Sequence, residues 1–144
     1  MKLFTIGFTK KSAEQFFTRL SNAGVSRIVD VRLNNISQLA GFSKREDLKY
    51  FSKTICNIGY IHVPEMAPTQ GMLDKYKKLT HDWQTYEEEF LGLMASRKLE
   101  QSGLRDQLEG ACLLCSEDKP HHCHRRLVAE FLKGKWGDVD IIHL

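Results

Sequence analysis

The segment from Cys115 to Arg125, CSEDKPHHCHR, concentrates the reactive side chains of this chain. It follows an apolar run, Ala111 to Cys115, and leads into a predicted helix that begins near Cys123. The first turn of a helix presents free N–H groups and a positive dipole end, so an anion or a thiolate is favoured there. A cysteine that faces this point is expected to have a lowered pKa and to act as a nucleophile.

We predict that three residues of this segment are catalytic. Cys115 is the candidate nucleophile, Glu117 a candidate general base or a group that orients a histidine, and His124 the candidate partner of the thiol. Acyl, phosphoryl, sulfur and glycosyl transfer all fit such a set. The sequence does not choose between these reactions, and it does not show which of His121, His122 and His124 faces the site.

Polar and titratable residues also lie at the ends of the other predicted strands. In an open parallel sheet, ligands bind outside the carboxyl ends of the strands, so these residues are expected to share one edge. They include His62, Glu65 and His143. The residues predicted to bind substrate or an anion are Thr5, Gly7, Thr9, Asp30, Arg32, Cys123 and Arg125.

Asp30 has two interpretations because a carboxylate in the apolar run IVDVR is costly unless it is paired. In the first interpretation, the Asp30–Arg32 pair binds an anionic group directly. In the second, Asp30 has a structural role and holds Arg32 or caps a nearby loop. The residues alone leave both open.

Strand and helix patterns alternate along the chain. A capping box, Ser12 with Gln15, predicts a helix that ends at Gly24. A second one, Ser43 with Glu46, predicts a helix that ends at Gly59 and buries Leu48, Phe51 and Ile55. The predicted strands are Lys2 to Phe8, Arg27 to Arg32, Tyr60 to Val63, Ala111 to Cys115, and Val139 to His143.

The remaining helical patterns complete an α/β arrangement. Residues 67–109 are helical in character, and their apolar residues are expected to be core: Trp83, Tyr86, Phe90, Leu93 and Met94. Cys123 to Lys133 predicts the last helix. We therefore expect a single α/β domain over residues 1–144, with a mostly parallel five-stranded sheet and helices on both faces.

Composition limits the class of protein. The chain has 144 residues, 42% hydrophobic and 27% charged, with a net charge of +3, which is typical of an ordinary globular domain. We expect the first residues, MKLFTIGF, to form a strand and not a signal peptide, and no apolar run approaches the roughly 18 residues that span a bilayer. We expect a cytoplasmic protein with no membrane partner and no disulfide framework.

A metal site is an alternative use of the cysteines. Cys112 and Cys115 form a CxxC pair, but residues three apart on a strand point to opposite faces and cannot share an ion. A site from Cys115, Cys123 and one of the nearby histidines stays open. The sequence identifies no cofactor.

The chain resembles a bacterial and archaeal family known as domain of unknown function 488. The resemblance rests on TIGFT (Thr5 to Thr9), the DVR element (Asp30 to Arg32), HVPEM (His62 to Met66) and the Cys-x-Glu and Cys-His-Arg signature, of which the last is the most specific. Phe8 stands where the family often has histidine, and Met66-Ala67-Pro68 where it often has Leu-Gly-Gly. The resemblance implies an α/β fold with a shared site and supplies no reaction.

Three functions follow as hypotheses. The first is an enzyme that binds a small anionic or nucleotide-like substrate through the Cys/Glu/His/Arg cluster. The second is a module that binds or processes nucleic acid. It is suggested by two basic groups, Arg125, Arg126, Lys133 and Lys135, and Lys44, Arg45, Lys49 and Lys53. The third is a metal-binding protein. The oligomeric state is left open.

Overall fold

Five parallel strands form one sheet in the computed structural model, which describes residues 1–36 and 41–144. The strands are β1 (Lys2–Gly7), β2 (Arg27–Asp30), β3 (Gly59–His62), β4 (Ala111–Cys115) and β5 (Asp140–His143). Their order across the sheet is β3-β2-β4-β1-β5, and each neighbouring pair is parallel. The apolar β4 therefore lies at the centre with all five residues buried, as its composition predicts.

Helices connect these strands. They are α1 (Ala13–Ala23), α2 (Arg45–Phe51), α3 (Gln70–Asp74), α4 (Trp83–Ser96), α5 (Arg105–Leu108) and α6 (His124–Trp136). Wider π-helical turns continue α2 over Ser52–Cys56 and α3 over Lys75–Thr80. None of the helices described is long and apolar enough to cross a membrane.

The sheet has a hydrophobic core on each face, so the predicted single α/β domain with two covered faces is confirmed. One core contains residues of α4, α5 and α6, such as Phe90 and Leu127, and the other contains residues of α1 and α2, such as Phe16. Side chains along β4 alternate between the two cores. Cys112 packs with the second core and Cys115 with the first, so the two sulfurs lie on opposite faces.

The start and end of α1 follow from its sequence. The Ser12 side chain accepts from the backbone N–H of Gln15, and the Gln15 side chain accepts from the backbone N–H of Ser12. Gly24 ends the helix in the left-handed conformation, with φ of 71°. The predicted capping box and the predicted end are both confirmed.

The second predicted capping box is wrong. Lys44, not Ser43, is the N-cap of α2, and it makes no side-chain capping bond. The wider turn after Phe51 changes the rotation of the helix, which leaves Ile55 57% exposed instead of buried. Asn57, with φ of 54°, ends this segment, whereas Gly59 already belongs to β3.

Candidate active site

A cleft of about 470 Å³ opens at the carboxyl edge of the sheet. Four residues predicted to converge, Arg32, Cys115, Glu117 and His124, all line it. The other lining residues come from the β2–α2 connection, the segment from α3 to α4, and the loop before α6: Leu33, Asn34, Leu73, Tyr76, Lys77, Trp83, Tyr86, Ser116, His122 and Cys123.

Cys115 and His124 form the buried centre of this cleft. The thiol Sγ lies 3.5 Å from Nδ1 of the imidazole, and the two residues are 6% and 7% exposed. The imidazole Nε2 lies 2.6 Å from the backbone carbonyl oxygen of Val31. Because a carbonyl only accepts, Nε2 carries the proton and the unprotonated Nδ1 faces the thiol. Burial lowers the pKa of His124 and favours this neutral form.

Cys123 is a third residue close to this pair. One ligand atom from each of Cys115, Cys123 and His124 lies within 4.8 Å of the other two. The hydrogen bond from the Cys123 thiol, helped by the backbone N–H of Ser116, lowers the pKa of Cys115 in spite of its burial. Burial raises the pKa of Cys123 well above its usual value. Cys115 is therefore the thiolate-forming member of the pair.

Asp30 and Arg32 form a bidentate ion pair beside this centre. Arg32 Nε and Nη2 each donate to a carboxylate oxygen at 2.8 Å, and the backbone N–H of Arg32 turns back to the same carboxylate at 3.1 Å. The turn ends β2 at Asp30, two residues before the predicted end. The Tyr60 hydroxyl also donates to Asp30, at 2.5 Å. Burial opposes the ionisation of Asp30, but these bonds and the charge of Arg32 outweigh it and hold its pKa below the usual value.

One donor of Arg32 is left over. The side chain is only 2% exposed, and its buried Nη1 has no hydrogen-bond partner among the described residues. A buried guanidinium N–H without an acceptor is costly, so a donor of this kind is usually explained by an acceptor that binds there. Arg32 is also one of the residues that line the cleft.

Three residues predicted to bind substrate, Thr5, Gly7 and Arg125, lie against the loop that follows β4 or against one another. Arg125 Nη1 donates to the carbonyl oxygen of Glu117 at 2.6 Å and Nη2 to that of Asp118 at 3.2 Å. Its Nε lies 3.4 Å from the Thr5 hydroxyl. Gly7 packs against the same Glu117 carbonyl. Since backbone carbonyls and a hydroxyl already occupy the guanidinium, the geometry does not support an anion-binding role for Arg125.

Thr9 and Glu117 lie further out. The Thr9 hydroxyl donates to the carbonyl of Ser116 at 2.6 Å, and Thr9 lines a smaller cleft of about 340 Å³. Glu117 is exposed and lines both clefts, as does His122. The imidazole of His62 bonds the backbone carbonyl of Arg32 at 2.8 Å and lies outside both clefts.

The aromatic wall of the main cleft was missed by sequence reasoning. Phe90 and Met94 are fully buried, as predicted for core residues. Trp83 is only half-buried and stacks on His122, with ring centroids 4.9 Å apart, and Tyr86 lines the cleft as well as the core. Helical spacing alone cannot separate a core side chain from one at the rim of a cavity. The wall depends on how α4 packs against α6, which carries His124.

Within residues 1–36 and 41–144, Cys115, Cys123 and His124 form a group that could hold a metal ion, and all three are buried. Cys112 is excluded from this set because it lies in the opposite core.

Comparison with known proteins identifies the family of the chain and no relative of known function. No curated protein and no solved structure matches the chain. Residues 12–132 match the model of the family described as a domain of unknown function, DUF488, and the chain belongs to this family.

Proposed function

We propose that this protein is an enzyme that uses Cys115 as a nucleophile on a small anionic substrate. The observation that carries the proposal is the contact between Cys115 Sγ and His124 Nδ1 at 3.5 Å, with Nε2–H held by the Val31 carbonyl. An unprotonated nitrogen beside a thiol at the base of a cleft is the arrangement of a nucleophile with its base.

The proposed step transfers a group to sulfur. The Cys115 thiol gives its proton to His124 Nδ1 as its sulfur attacks the electrophilic atom of the substrate. The new bond joins sulfur to that atom, and the bond to the leaving group breaks with its electron pair. The leaving group then takes the proton from Nδ1, and water or a second acceptor releases the transferred group from sulfur.

The free donor of Arg32 is the reason to propose an anionic substrate. The charge of Arg32 is already balanced by Asp30, but its Nη1 is a buried donor without a partner among the described residues. A single N–H of this kind suits one oxygen of a carboxylate, a phosphate or a developing oxyanion. The first turn of α6, which begins at His124, adds a positive dipole end on the same side of the cleft.

Glu117 completes the proposal at the mouth of the cleft. Its side chain is exposed and lies on the wall shared by the two clefts. This position suits a base that activates water or a second substrate for the release step. It does not suit contact with the buried imidazole, whose Nε2 is already bonded to Val31.

The test is the rate at which Cys115 reacts with iodoacetamide at pH 7, followed by peptide mass spectrometry. The half-buried Cys56 serves as an internal standard. We expect Cys115 to react faster than Cys56 in spite of its burial, since a lowered pKa raises the fraction of the thiol present as thiolate. His124→Gln should slow the labelling of Cys115, because it removes the ring nitrogen that accepts the thiol proton. His122→Gln, which changes a lining residue, should leave this rate unchanged. Equal rates for the two cysteines, or no effect of His124→Gln, would contradict the proposal.

A further inference from the structure

We propose that Cys115, Cys123 and His124 form a binding site for a thiophilic divalent cation, with Zn²⁺ as its representative. This inference rests on the proposed function in one respect, because the ion would occupy the atoms that carry out catalysis. Bound Zn²⁺ therefore switches the nucleophile off, and its removal restores it.

The donor atoms are already close to the spacing that zinc requires. Ideal tetrahedral coordination with Zn–S near 2.3 Å and Zn–N near 2.0–2.1 Å places the sulfur and nitrogen about 3.6 Å apart. Cys115 Sγ and His124 Nδ1 are 3.5 Å apart, and the three donor atoms all lie within 4.8 Å of one another. Two thiols and an imidazole are the ligands that select zinc over magnesium or calcium.

The surroundings of His124 also suit a metal ligand. Its Nε2–H donates to the Val31 carbonyl at 2.6 Å, which fixes the ring with Nδ1 towards the two sulfurs. Histidines that bind metals are commonly oriented by a hydrogen bond of this kind. All three ligands are nearly buried, so solvent competes little for the ion.

Cys123 is the one of the three residues that neither attacks the substrate nor accepts a proton in the proposed step. It is the N-cap of α6, yet its side chain makes no capping bond there. Its thiol is 2% exposed and directed towards Cys115. A role as a zinc ligand explains why a buried thiol that makes no capping bond lies at this position. The fourth coordination position then opens into the cleft, which all three ligands line.

Bound zinc and nucleophilic attack exclude each other. The ion takes a lone pair of the Cys115 sulfur and the lone pair of His124 Nδ1, which are the pairs needed for attack and for proton removal. Substitution of Cys123 by serine separates the two properties, since it removes one metal ligand and keeps a hydroxyl donor beside Cys115 and its base.

The experiment titrates the metal-free protein with Zn²⁺ alone against a chromogenic chelator. The variants are wild type, Cys123→Ser and, as a matched control, Cys56→Ser. We expect one equivalent of Zn²⁺ in wild type and Cys56→Ser. In Cys123→Ser the affinity should fall by on the order of 100-fold, because loss of a supporting hydrogen bond alone costs 10–100-fold. Circular dichroism spectra show whether each variant is folded.

A second readout measures iodoacetamide labelling of Cys115 with and without Zn²⁺. We expect Zn²⁺ to protect Cys115 in wild type and not in Cys123→Ser. Absence of stoichiometric binding, or equal binding by wild type and a folded Cys123→Ser, would overturn the site. If Cys115 is labelled rapidly but the protein does not bind zinc, this inference is overturned and the proposed function is still supported. Zinc binding with an unreactive metal-free Cys115 supports the site and overturns the nucleophile.

Discussion

The carbonyl oxygen of Glu117 occupies the space where a side chain at Gly7 would begin. A Cβ atom at Gly7 would lie 1.6 Å from this oxygen and 2.5 Å from its carbon. The same oxygen accepts the hydrogen bond from Arg125 Nη1 at 2.6 Å. The end of β1 and the start of α6 thus fix the backbone of the loop that follows Cys115.

We expect Gly7→Ala to displace this loop and to destabilise the fold. Both clashing atoms belong to the backbone, so relief requires movement of the loop and not a rotamer change. Overpacking of a well-packed site typically costs about 1–3 kcal/mol, and we expect the free energy of unfolding to fall by at least this much in urea denaturation.

Gly92→Ala is the matched control, because Gly92 lies inside α4 with no atom within 4 Å of a Cβ. A gain of about 1 kcal/mol is expected there from helix propensity. A Gly7→Ala variant as stable as Gly92→Ala would contradict the packing described for this loop.

Asp30→Asn should be strongly destabilising. The substitution leaves the Arg32 guanidinium buried without its counter-charge, and loss of one partner of a buried ion pair costs about 3–5 kcal/mol. The exposed pair between Arg105 and Asp138 provides the comparison, and Asp138→Asn should change the free energy of unfolding little. Equal effects of the two substitutions in urea denaturation would show that the buried pair does not hold the end of β2.

The ionisation of Asp30 also predicts a pH dependence. Its pKa is lower in the folded than in the unfolded protein, so its stabilising effect is present above the unfolded pKa and is lost as the pH falls through the folded pKa. The difference in unfolding free energy between wild type and Asp30→Asn should be constant above about pH 4 and should narrow below it. A difference that stays constant down to pH 2.5, or widens, would contradict the assignment.

Much of the fold follows from local pattern. The continuous apolar run of β4 predicts a central strand, and the capping box at Ser12 and the glycine at Gly24 predict α1. These predictions succeed because the residues that determine each element are neighbours in the sequence. Ile55 was predicted wrongly because the π-helical turn over Ser52–Cys56 changes the helix rotation and leaves no signal in the residue types.

The site was predictable to the extent that it lies on strand ends. Parallel strands bring their carboxyl ends together, so Arg32 and Cys115 were expected at one edge, and both line the cleft. The role of Trp83 depends on packing between distant elements and has no local signal. Arg125 looks like an anion-binding residue in sequence, but the loop carbonyls that occupy it come into place only in the folded chain.

Binding of nucleic acid stays a prediction.

In the proposed function, an anion reaches Cys115 with the help of Arg32. The ratio of alkylation rates with iodoacetate, which is anionic, and iodoacetamide, which is neutral, measures this help. Arg32→Lys is the informative variant, because lysine keeps a cation for Asp30 and removes the Nη1 donor. We expect a higher ratio of iodoacetate to iodoacetamide rates at Cys115 than at Cys56 in wild type, and a fall to the Cys56 value in Arg32→Lys. The same ratio at both cysteines of wild type, unchanged in Arg32→Lys, would contradict this role of Arg32.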